Sequence, residues 1–264
     1  MGAKLFVHRL FSRMGLLRQV VALKSACISS PLIHSIAFRN EFSFYKQLLV
    51  DSPLVFDIGG NVGNYARVFR RLGCRVITAE PIPECAARIR RRFAGDDGLI
   101  LLETAVSDRP GQTVFHINEE IPELSTLSRD WMQNSRYATT SHWSKSIPVP
   151  VTTLSEMIRQ YGRPGYCKID VEGHEADVLD GLEAPIPLVS FEFCIEFPEQ
   201  ILRCLDRLEA LAAGDGQRVG YNYSPGQRMR LTLPEWTDRA GLLDALDLRK
   251  NGGLAGDIFA RTGE

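Results

Sequence analysis

A strand-like run that ends in glycines, and a carboxylate about 20 residues later, constrain the fold of this chain most. Residues 54–58 (Leu-Val-Phe-Asp-Ile) are apolar except for Asp57, and three glycines follow within residues 59–63. A helical pattern then starts at about Asn64. Glycines let a backbone approach a ligand closely, and the free N–H groups of a helix start favour anions and polar groups. This layout predicts a buried strand, a tight turn and a helix N-terminus.

A second apolar run, residues 74–79, ends in Glu80. An acid at this position of a doubly wound α/β protein binds the two ribose hydroxyls of a nucleotide. The glycines follow the pattern Asp-x-Gly-x-Asn-x-Gly, which meets the dinucleotide fingerprint Gly-x-Gly-x-x-Gly poorly. An ordinary strand-to-helix turn explains the glycines alone, but Glu80 favours nucleotide binding.

Length, charge and cysteines narrow the class of protein. The 264 residues suffice for one α/β domain and an extension. The 31 basic and 32 acidic residues nearly cancel, so we expect no nucleic-acid partner. The six cysteines form no Cys-x-x-Cys pair, and Cys74, Cys167 and Cys194 lie in apolar runs. We therefore predict buried free thiols and a reducing compartment, the cytoplasm.

The N-terminal 40 residues differ from the rest, because they are basic and no acid precedes Glu41. Apolar residues recur there at roughly helical spacing, which predicts a basic amphipathic helix or helix pair. We assign residues 1–50 to this helical extension and residues 51–264 to the main domain. No apolar run is long enough to span a bilayer, and no signal-peptide cleavage site follows. Two interpretations stay open: a membrane-surface helix or transit peptide, and a helix that packs across the domain.

From Leu54 onward, strand-like and helical segments alternate, which predicts an α/β fold with a doubly wound, mostly parallel sheet. Further strands are predicted at residues 99–106, 147–151, 166–170, 187–193, 218–223, 229–233 and 256–261, with an antiparallel excursion at 113–117. Helices are predicted at residues 83–93, 153–161, 175–182, 199–211 and 234–246. Residues 119–145 are polar, irregular and rich in aromatics, so we predict a lid over the acceptor.

Residues 166–175 (Tyr-Cys-Lys-Ile-Asp-Val-Glu-Gly-His-Glu) carry the second set of chemical groups. The strand is predicted to end near Asp170, so Asp170, Glu172 and His174 would lie at the carboxyl edge of the sheet. Ligands of open α/β sheets bind outside that edge. Alternatively, Asp170 or Glu172 caps the next helix, and His174 is a solvated residue of its first turn.

Six motifs occur in one order along the chain. They are residues 57–63 (Asp-Ile-Gly-Gly-Asn-Val-Gly), Glu80-Pro81, 105–108 (Ala-Val-Ser-Asp), 125–127 (Ser-Thr-Leu), 149–154 (Val-Pro-Val-Thr-Thr-Leu) and 168–175 (Lys-Ile-Asp-Val-Glu-Gly-His-Glu). This series resembles the FkbM family of S-adenosylmethionine-dependent methyltransferases, roughly from Val55 to Phe197. The resemblance implies a Rossmann-like, seven-stranded sheet with one antiparallel strand. It also implies O-methylation of a hydroxyl on a sugar, glycolipid or secondary metabolite. Gly60 stands where the family commonly has alanine, and Ser155 where it commonly has aspartate.

The resemblance and the positions together imply roles for individual residues. The residues expected to bind S-adenosylmethionine are Asp57, Gly59, Gly60, Asn61 and Gly63 (methionine part), Glu80 (ribose), Ala105 (adenine) and Asp170. An alcohol acceptor needs a base, for which His174, Asp170 and Glu172 are candidates. We favour His174, because the pKa of histidine suits neutral pH. No metal is assigned, although a divalent ion held by Asp170, Glu172, His174 and Glu192 stays open.

Two functions of other classes stay open at this point. An NAD-dependent oxidoreductase or epimerase shares the fold and the ribose acid, but the glycine fingerprint is imperfect and no Tyr-x-x-x-Lys pair occurs. A non-catalytic nucleotide-binding module would bind the cofactor without turning over any acceptor. In either enzymatic case we expect a small-molecule or carbohydrate substrate.

Overall fold

A computed structural model describes residues 31–49, 52–226, 228–248 and 254–263. The helices are α1 (Pro31–Leu48), α2 (Asn64–Arg71), α3 (Pro83–Arg92), α4 (Arg129–Asn134), α5 (Leu154–Tyr161), α6 (Glu175–Asp180), α7 (Pro198–Gly214) and α8 (Arg239–Leu246). The strands are β1 (Leu54–Ile58), β2 (Arg75–Ala79), β3 (Leu99–Leu102), β4 (Ala105–Val106), β5 (Gly111–Ile117), β6 (Lys145–Thr152), β7 (Tyr166–Ile169), β8 (Leu188–Cys194), β9 (Arg218–Pro225) and β10 (Ala255–Gly263).

Seven strands form the main sheet in the order β3-β2-β1-β7-β8-β10-β9. Strand β10 pairs antiparallel with both of its neighbours, while the pairs from β3 to β8 are parallel. Within the described residues, β10 is therefore the single strand that runs against the others, as predicted. The chain winds outward from β1 to β3 and restarts at β7 on the other side of β1. This reversal places a ligand crevice at the carboxyl ends of β1 and β7.

A second sheet of three strands, ordered β4-β6-β5, lies beside the main one. The predicted antiparallel excursion is confirmed, because β5 pairs antiparallel with β6. The single strand predicted at residues 99–106 is wrong, since it divides into β3 and β4, which belong to different sheets. The hydroxyl of Thr104 donates to the carbonyl of Pro150 at 2.8 Å and joins the chain to β6 at the point of division.

The segment before α8 departs from the prediction. No strand forms at residues 229–233. The side chain of Asn222 instead bonds both backbone groups of Leu233, accepting from its N–H at 3.0 Å and donating to its carbonyl at 2.9 Å. Helix α8 begins at Arg239 rather than near Pro234, because the carboxylate of Asp238 caps it by accepting from the N–H of Gly241 at 2.9 Å.

Helices cover the main sheet: α2 packs on β1 and β2, α3 on β3, α7 on β8 to β10, and α8 on β9. The thiols of Cys74, Cys167 and Cys194 are buried and free, as predicted. Cys27 lies outside the described residues.

The N-terminal prediction is described only in part. Residues 1–30 lie outside the described residues, so the amphipathic helix assigned to them stays a prediction, as does the boundary at 50/51. The chain divides into two compact units between Phe44 and Tyr45. Tyr45 is fully buried in the second unit, with its ring centroid 5.0 Å from Phe69 and 5.8 Å from Tyr166. None of the helices in the described part has the length and apolar character needed to cross a membrane.

Candidate active site

The glycine turn after β1 packs directly against the end of β7. Gly59 has a left-handed φ of 82°, and the N–H groups of Gly59 and Gly60 donate to the carbonyl of Ala79 at 3.0 and 3.1 Å. A Cβ on Gly59 would lie 1.8 Å from the carbonyl oxygen of Asp170, so any larger residue would force the two segments apart. This contact unites the two motifs that the sequence singled out.

Thr78 accounts for the glycine at position 60. A Cβ on Gly60 would lie 2.1 Å from the hydroxyl oxygen of Thr78, so alanine fits only if Thr78 moves. That hydroxyl also donates to Asp57 at 3.4 Å, a weak hydrogen bond to a carboxylate that is 1% exposed. Burial raises the pKa of Asp57 to about 6, although the Lys168 ammonium lowers it.

Glu80 is buried at the end of β2 and is held by two backbone donors. Its Oε2 accepts from the N–H of Asn61 at 2.7 Å, and its Oε1 accepts from the N–H of Ile82 at 2.8 Å. Burial raises the pKa of Glu80 to about 8 despite these donors. Each carboxylate oxygen accepts two hydrogen bonds, so one acceptor position on each oxygen is left over. The carboxylate therefore fits a ligand with two adjacent hydroxyls.

The remaining residues predicted on the cofactor side lie around Glu80. Asn61 has a left-handed φ of 47°, which turns its N–H toward the carboxylate. Gly63 precedes α2 with a φ of 76°. Ala105 begins β4 and is buried in a small apolar cluster that includes Ile82, two residues after Glu80. These positions agree with a single crevice beside β2.

Lys168 is a buried cation beneath the site. Its ammonium donates to Asp170 at 2.6 Å and lies 4.3 Å from the ring centroid of Tyr65. Burial lowers the pKa of Lys168, but the Asp170 and Asp257 carboxylates outweigh this and raise it above its ordinary value. The ion pair is a charge-assisted hydrogen bond, which is stronger than a neutral one, and it holds the side chain of Asp170 at the carboxyl end of β7.

Asp170, Glu172 and Glu192 form a group that we call the carboxylate cluster. One carboxylate oxygen from each lies within 4.8 Å of the others. Burial raises the pKa values of Glu172 and Glu192, and the negative charges within the cluster raise them further. Both side chains therefore hold a proton more tightly than an ordinary glutamate.

The loop that carries Glu172 is held in an uncommon conformation. Glu172 has a left-handed φ of 55°, a conformation that L-residues adopt at a cost of order 1–3 kcal/mol. The buried carboxylate of Glu175 accepts from the N–H groups of Val171 and Gly173 at 3.0 and 3.2 Å, and Thr126 donates to the carbonyl of Glu172 at 2.7 Å. These three contacts keep Glu172 in place.

The hydrogen-bond partners of His174 do not belong to the carboxylate cluster. Its Nε2 lies 2.9 Å from the hydroxyl of Ser107, and its Nδ1 lies 3.4 Å from a carboxylate oxygen of Asp177. Burial lowers its pKa, so the imidazole is neutral at neutral pH. Among the described residues, the group whose side chains could hold a metal ion is the carboxylate cluster, and it does not include His174.

Sequence reasoning assigned no role to three residues of the site. Lys168 and Glu175 belong to the motif of residues 168–175. The feature of the sequence that could have pointed to them is a charged residue within or just after a buried strand. Gln200, in the first turn of α7, lines the same small pocket as Glu192. No local pattern in the sequence pointed to Gln200.

The raised pKa values predict how stability changes with pH. The buried carboxyls with raised values are Asp57 and Asp257 (to about 6), Glu175 (to about 7) and Glu80 (to about 8). The folded state then binds more protons than the unfolded state, so stability rises as pH falls from about 8 toward 5. His174 and His116, whose pKa values burial lowers, oppose this below about pH 6.5.

We expect the Tm of the ligand-free protein to be at least about 5 °C higher at pH 6 than at pH 8, since 1 kcal/mol shifts Tm by about 2–4 °C at this size. Differential scanning calorimetry at both pH values checks this. A Tm that rises between pH 6 and pH 8 would contradict it.

The chain is similar to known methyltransferases. The family model "Methyltransferase FkbM domain" matches residues 57–221. The 2-O-methyltransferase NoeI of Sinorhizobium fredii is 30% identical over 159 residues, which cover 57% of this chain and 65% of NoeI. The hexuronic acid methyltransferase AglP of Haloferax volcanii is 24% identical over 201 residues, 66% of this chain and 78% of AglP. A solved O-methyltransferase of Bacillus cereus, in complex with SAH, aligns over 94% of this chain and 91% of that one. The TM-score is 0.42 and the sequence identity 11%, so this likeness carries no argument about function.

The topology defines a Rossmann-like domain in which the glycine turn after β1 and the carboxylate of Glu80 lie together at the edge of the sheet. The family match covers more than half of the chain, so this protein belongs to the FkbM methyltransferase domain family. This confirms the resemblance of the motifs. S-adenosylmethionine is the methyl donor that membership implies. The chain spans just under two thirds of the length of NoeI.

Proposed function

We propose that this protein transfers the methyl group of S-adenosylmethionine to a hydroxyl of a carbohydrate. The observation that carries the proposal is Glu80, a carboxylate held beside the glycine turn with an acceptor position left on each oxygen. Family membership favours S-adenosylmethionine over other nucleotide cofactors. The names of the two relatives, a 2-O-methyltransferase and a hexuronic acid methyltransferase, support a sugar acceptor.

On the cofactor side, Glu80 would accept both ribose hydroxyls and Ala105 would lie against the adenine. The methionine part would rest on the glycine turn, where Asp57 accepts from its ammonium group directly or through water. Asp170, fixed by Lys168, would orient the cofactor or the acceptor. The residues proposed for the glycine turn are Gly59, Gly60, Asn61 and Gly63.

S-adenosylmethionine supplies a methyl group on a positively charged sulfur. The acceptor oxygen forms the new C–O bond while the C–S bond breaks. The electron pair of the C–S bond stays on sulfur. The protein mainly has to align acceptor, methyl and sulfur. The hydroxyl proton passes to a base as the bond forms.

We propose that the base is the pair Glu172 and Glu192, with Asp170 orienting. Two close, half-buried carboxylates share protons, and their raised pKa values bring proton affinity nearer to the working pH. His174, the base favoured by the sequence, stays a prediction. Its contacts with Ser107 and Asp177 support a positioning role at the start of α6.

Isothermal titration of the protein with S-adenosylmethionine, S-adenosylhomocysteine and NAD⁺ tests the proposal. We expect micromolar Kd values for the first two and no heat for NAD⁺, because the glycine turn does not have the Gly-x-Gly-x-x-Gly fingerprint of dinucleotide sites. Release of S-adenosylhomocysteine in a screen of glycosides then tests the acceptor class. Binding of NAD⁺ alone would contradict the cofactor, and cofactor binding without transfer to any hydroxyl would indicate a binding module.

A further inference from the structure

The Ser-Thr-Leu motif of residues 125–127 lies between β5 of the second sheet and α4. Thr126 is fully buried, and its backbone pairs in both directions with His116 of β5. Its N–H donates to the carbonyl of His116 at 2.9 Å, and its carbonyl accepts from the N–H of His116 at 3.0 Å. The hydroxyl of Ser125 accepts from the N–H of Asn118 at 3.1 Å. The motif is therefore anchored to the end of β5.

The side chain of Thr126 reaches from this anchor to the loop after β7. Its hydroxyl donates to the carbonyl of Glu172 at 2.7 Å and accepts from the N–H of Ser128 at 2.8 Å. Ser128 in turn caps α4, because its hydroxyl accepts from the N–H of Trp131 at 3.1 Å. One buried hydroxyl thus links β5, the start of α4 and the loop that carries Glu172.

The peptide unit between Glu172 and Gly173 is held at both of its polar ends. Its carbonyl accepts from Thr126, and its N–H donates to the carboxylate of Glu175 at 3.2 Å. Gly173 has a φ of 86° and no Cβ, so its own conformational preference does little to fix the orientation of this unit. The two side-chain contacts therefore determine how the peptide unit is oriented.

The backbone of Glu172 depends on such contacts, because its φ of 55° is left-handed. L-residues keep this conformation only where the surrounding structure over-determines it, and such residues cluster at active sites. Without the bond to Thr126, the backbone of Glu172 is free to relax toward the ordinary negative φ, which redirects the side chain. The carboxylate oxygen of Glu172 lies within 4.8 Å of those of Asp170 and Glu192. The closeness of the two glutamates therefore relies on the hydroxyl of Thr126.

We propose that Thr126 is a positioning residue for methyl transfer: its hydroxyl holds the backbone of Glu172 and so keeps that carboxylate beside Glu192, where the pair takes the acceptor proton. This inference rests on the proposed function. Thr126 acts through Glu172 and belongs to residues 119–145, the segment predicted as a lid over the acceptor. A single hydrogen bond thus ties this segment to the base.

Thr126→Val removes the hydroxyl and keeps the shape of the side chain. We expect kcat to fall about 10- to 100-fold, because a displacement of about 1 Å at a catalytic group can cost about 100-fold. The KM for the glycoside should change less than kcat, since the hydroxyl acts on the base, and the Kd for S-adenosylmethionine should stay the same. Steady-state kinetics and titration calorimetry measure these quantities. A wild-type kcat in Thr126→Val would overturn the inference.

Two further threonine variants separate positioning from stability. Thr126→Ser keeps the hydroxyl and should retain most of the wild-type kcat. Thr153→Val is the matched control, because Thr153 is also buried and its hydroxyl caps α5 by accepting from the N–H of Glu156 at 3.1 Å. The control should lower Tm, since a cap is lost, and leave kcat unchanged. A serine variant as slow as Thr126→Val, or an equal loss of kcat in the control, would contradict the inference.

A double variant shows whether Thr126 acts through Glu172. In a protein that already carries Glu172→Gln, the proton-accepting carboxylate is absent, so adding Thr126→Val should lower kcat little further. Residues that act as a unit give such non-additive losses. If the two losses of kcat multiply in full, Thr126 acts independently of Glu172 and the inference is wrong.

Amide hydrogen exchange followed by NMR provides a readout besides activity. The N–H of Gly173 should exchange at least about tenfold faster in Thr126→Val than in the wild type or in Thr153→Val, because opening of the loop then breaks one bond fewer. An unchanged exchange rate would refute the inference alone. A wild-type protein that binds no S-adenosylmethionine, or transfers its methyl group to no hydroxyl, would instead refute the proposed function and this inference with it.

Discussion

Glu80→Ala is expected to weaken the binding of S-adenosylmethionine at least about 100-fold, because hydrogen bonds to a charged group contribute about 1.5–3 kcal/mol each and two ribose hydroxyls lose theirs. The same change leaves the N–H groups of Asn61 and Ile82 without their acceptor, so we also expect a lower Tm. Titration calorimetry and a melting curve measure the two effects on the same sample.

A control of similar structural cost separates the two effects. Asp96→Ala removes a carboxylate that accepts from Arg70 at 2.6 Å and from the N–H of Gly98 at 3.0 Å, away from the crevice. It should lower Tm but keep the Kd for S-adenosylmethionine within about threefold of the wild type. That limit lies below a tenfold change in Kd, which corresponds to about 1.4 kcal/mol of binding free energy. Equal losses of affinity in the two variants would make Glu80 a structural residue.

The pH dependence of binding gives Glu80 an independent signature. Its pKa of about 8 in the ligand-free protein means that the carboxyl is largely protonated at pH 7. Two ribose hydroxyls donate to the ionised form, so binding should tighten as pH rises from 6 and level off above about 8. Glu80→Ala should remove this dependence. A wild-type affinity that falls over this range would show that the protonated form binds.

The parts of the site that the sequence predicted are those defined by local order along the chain. Asp57 and Glu80 end strands that are adjacent in the sheet, so a strand-turn-helix pattern was enough to place them at one edge. The motif around Asp170 follows the same logic for β7. Parallel strands deliver their carboxyl ends to one edge whatever the details of packing.

The parts that the sequence could not predict depend on packing between distant segments. Glu192 meets Asp170 because β8 pairs with β7, and Trp131 reaches the same region from the segment predicted as a lid. His174 was favoured as base from its pKa alone, yet its partners are Ser107, directly after β4, and Asp177 in α6. The strand predicted at residues 229–233 was lost to the side chain of Asn222, a contact that no periodicity reveals.

Glu192→Gln is expected to reduce kcat by about 10²–10⁴-fold, the usual contribution of a general base. Glutamine keeps the size and hydrogen bonding of the side chain but cannot take the acceptor proton. The cofactor site is separate, so the Kd for S-adenosylmethionine should stay within about threefold of the wild type. A tenfold change in Kd would correspond to about 1.4 kcal/mol of binding free energy. The wild-type kcat should rise with pH, because the pKa of Glu192 is raised and only the ionised form accepts a proton. Steady-state kinetics with saturating S-adenosylmethionine across pH measure both effects.

His174→Asn decides between the two bases. Asparagine retains a polar contact near Ser107, so a positioning histidine should lose little of kcat and keep the wild-type pH profile. If His174 is catalytic, His174→Asn should instead lose as much kcat as Glu192→Gln and flatten the pH profile.

Because Glu172 and Glu192 act as a coupled pair, the double variant Glu172→Gln/Glu192→Gln should have a kcat little lower than that of the poorer single variant. Full additivity of the two losses would place the residues in separate steps and contradict a shared proton.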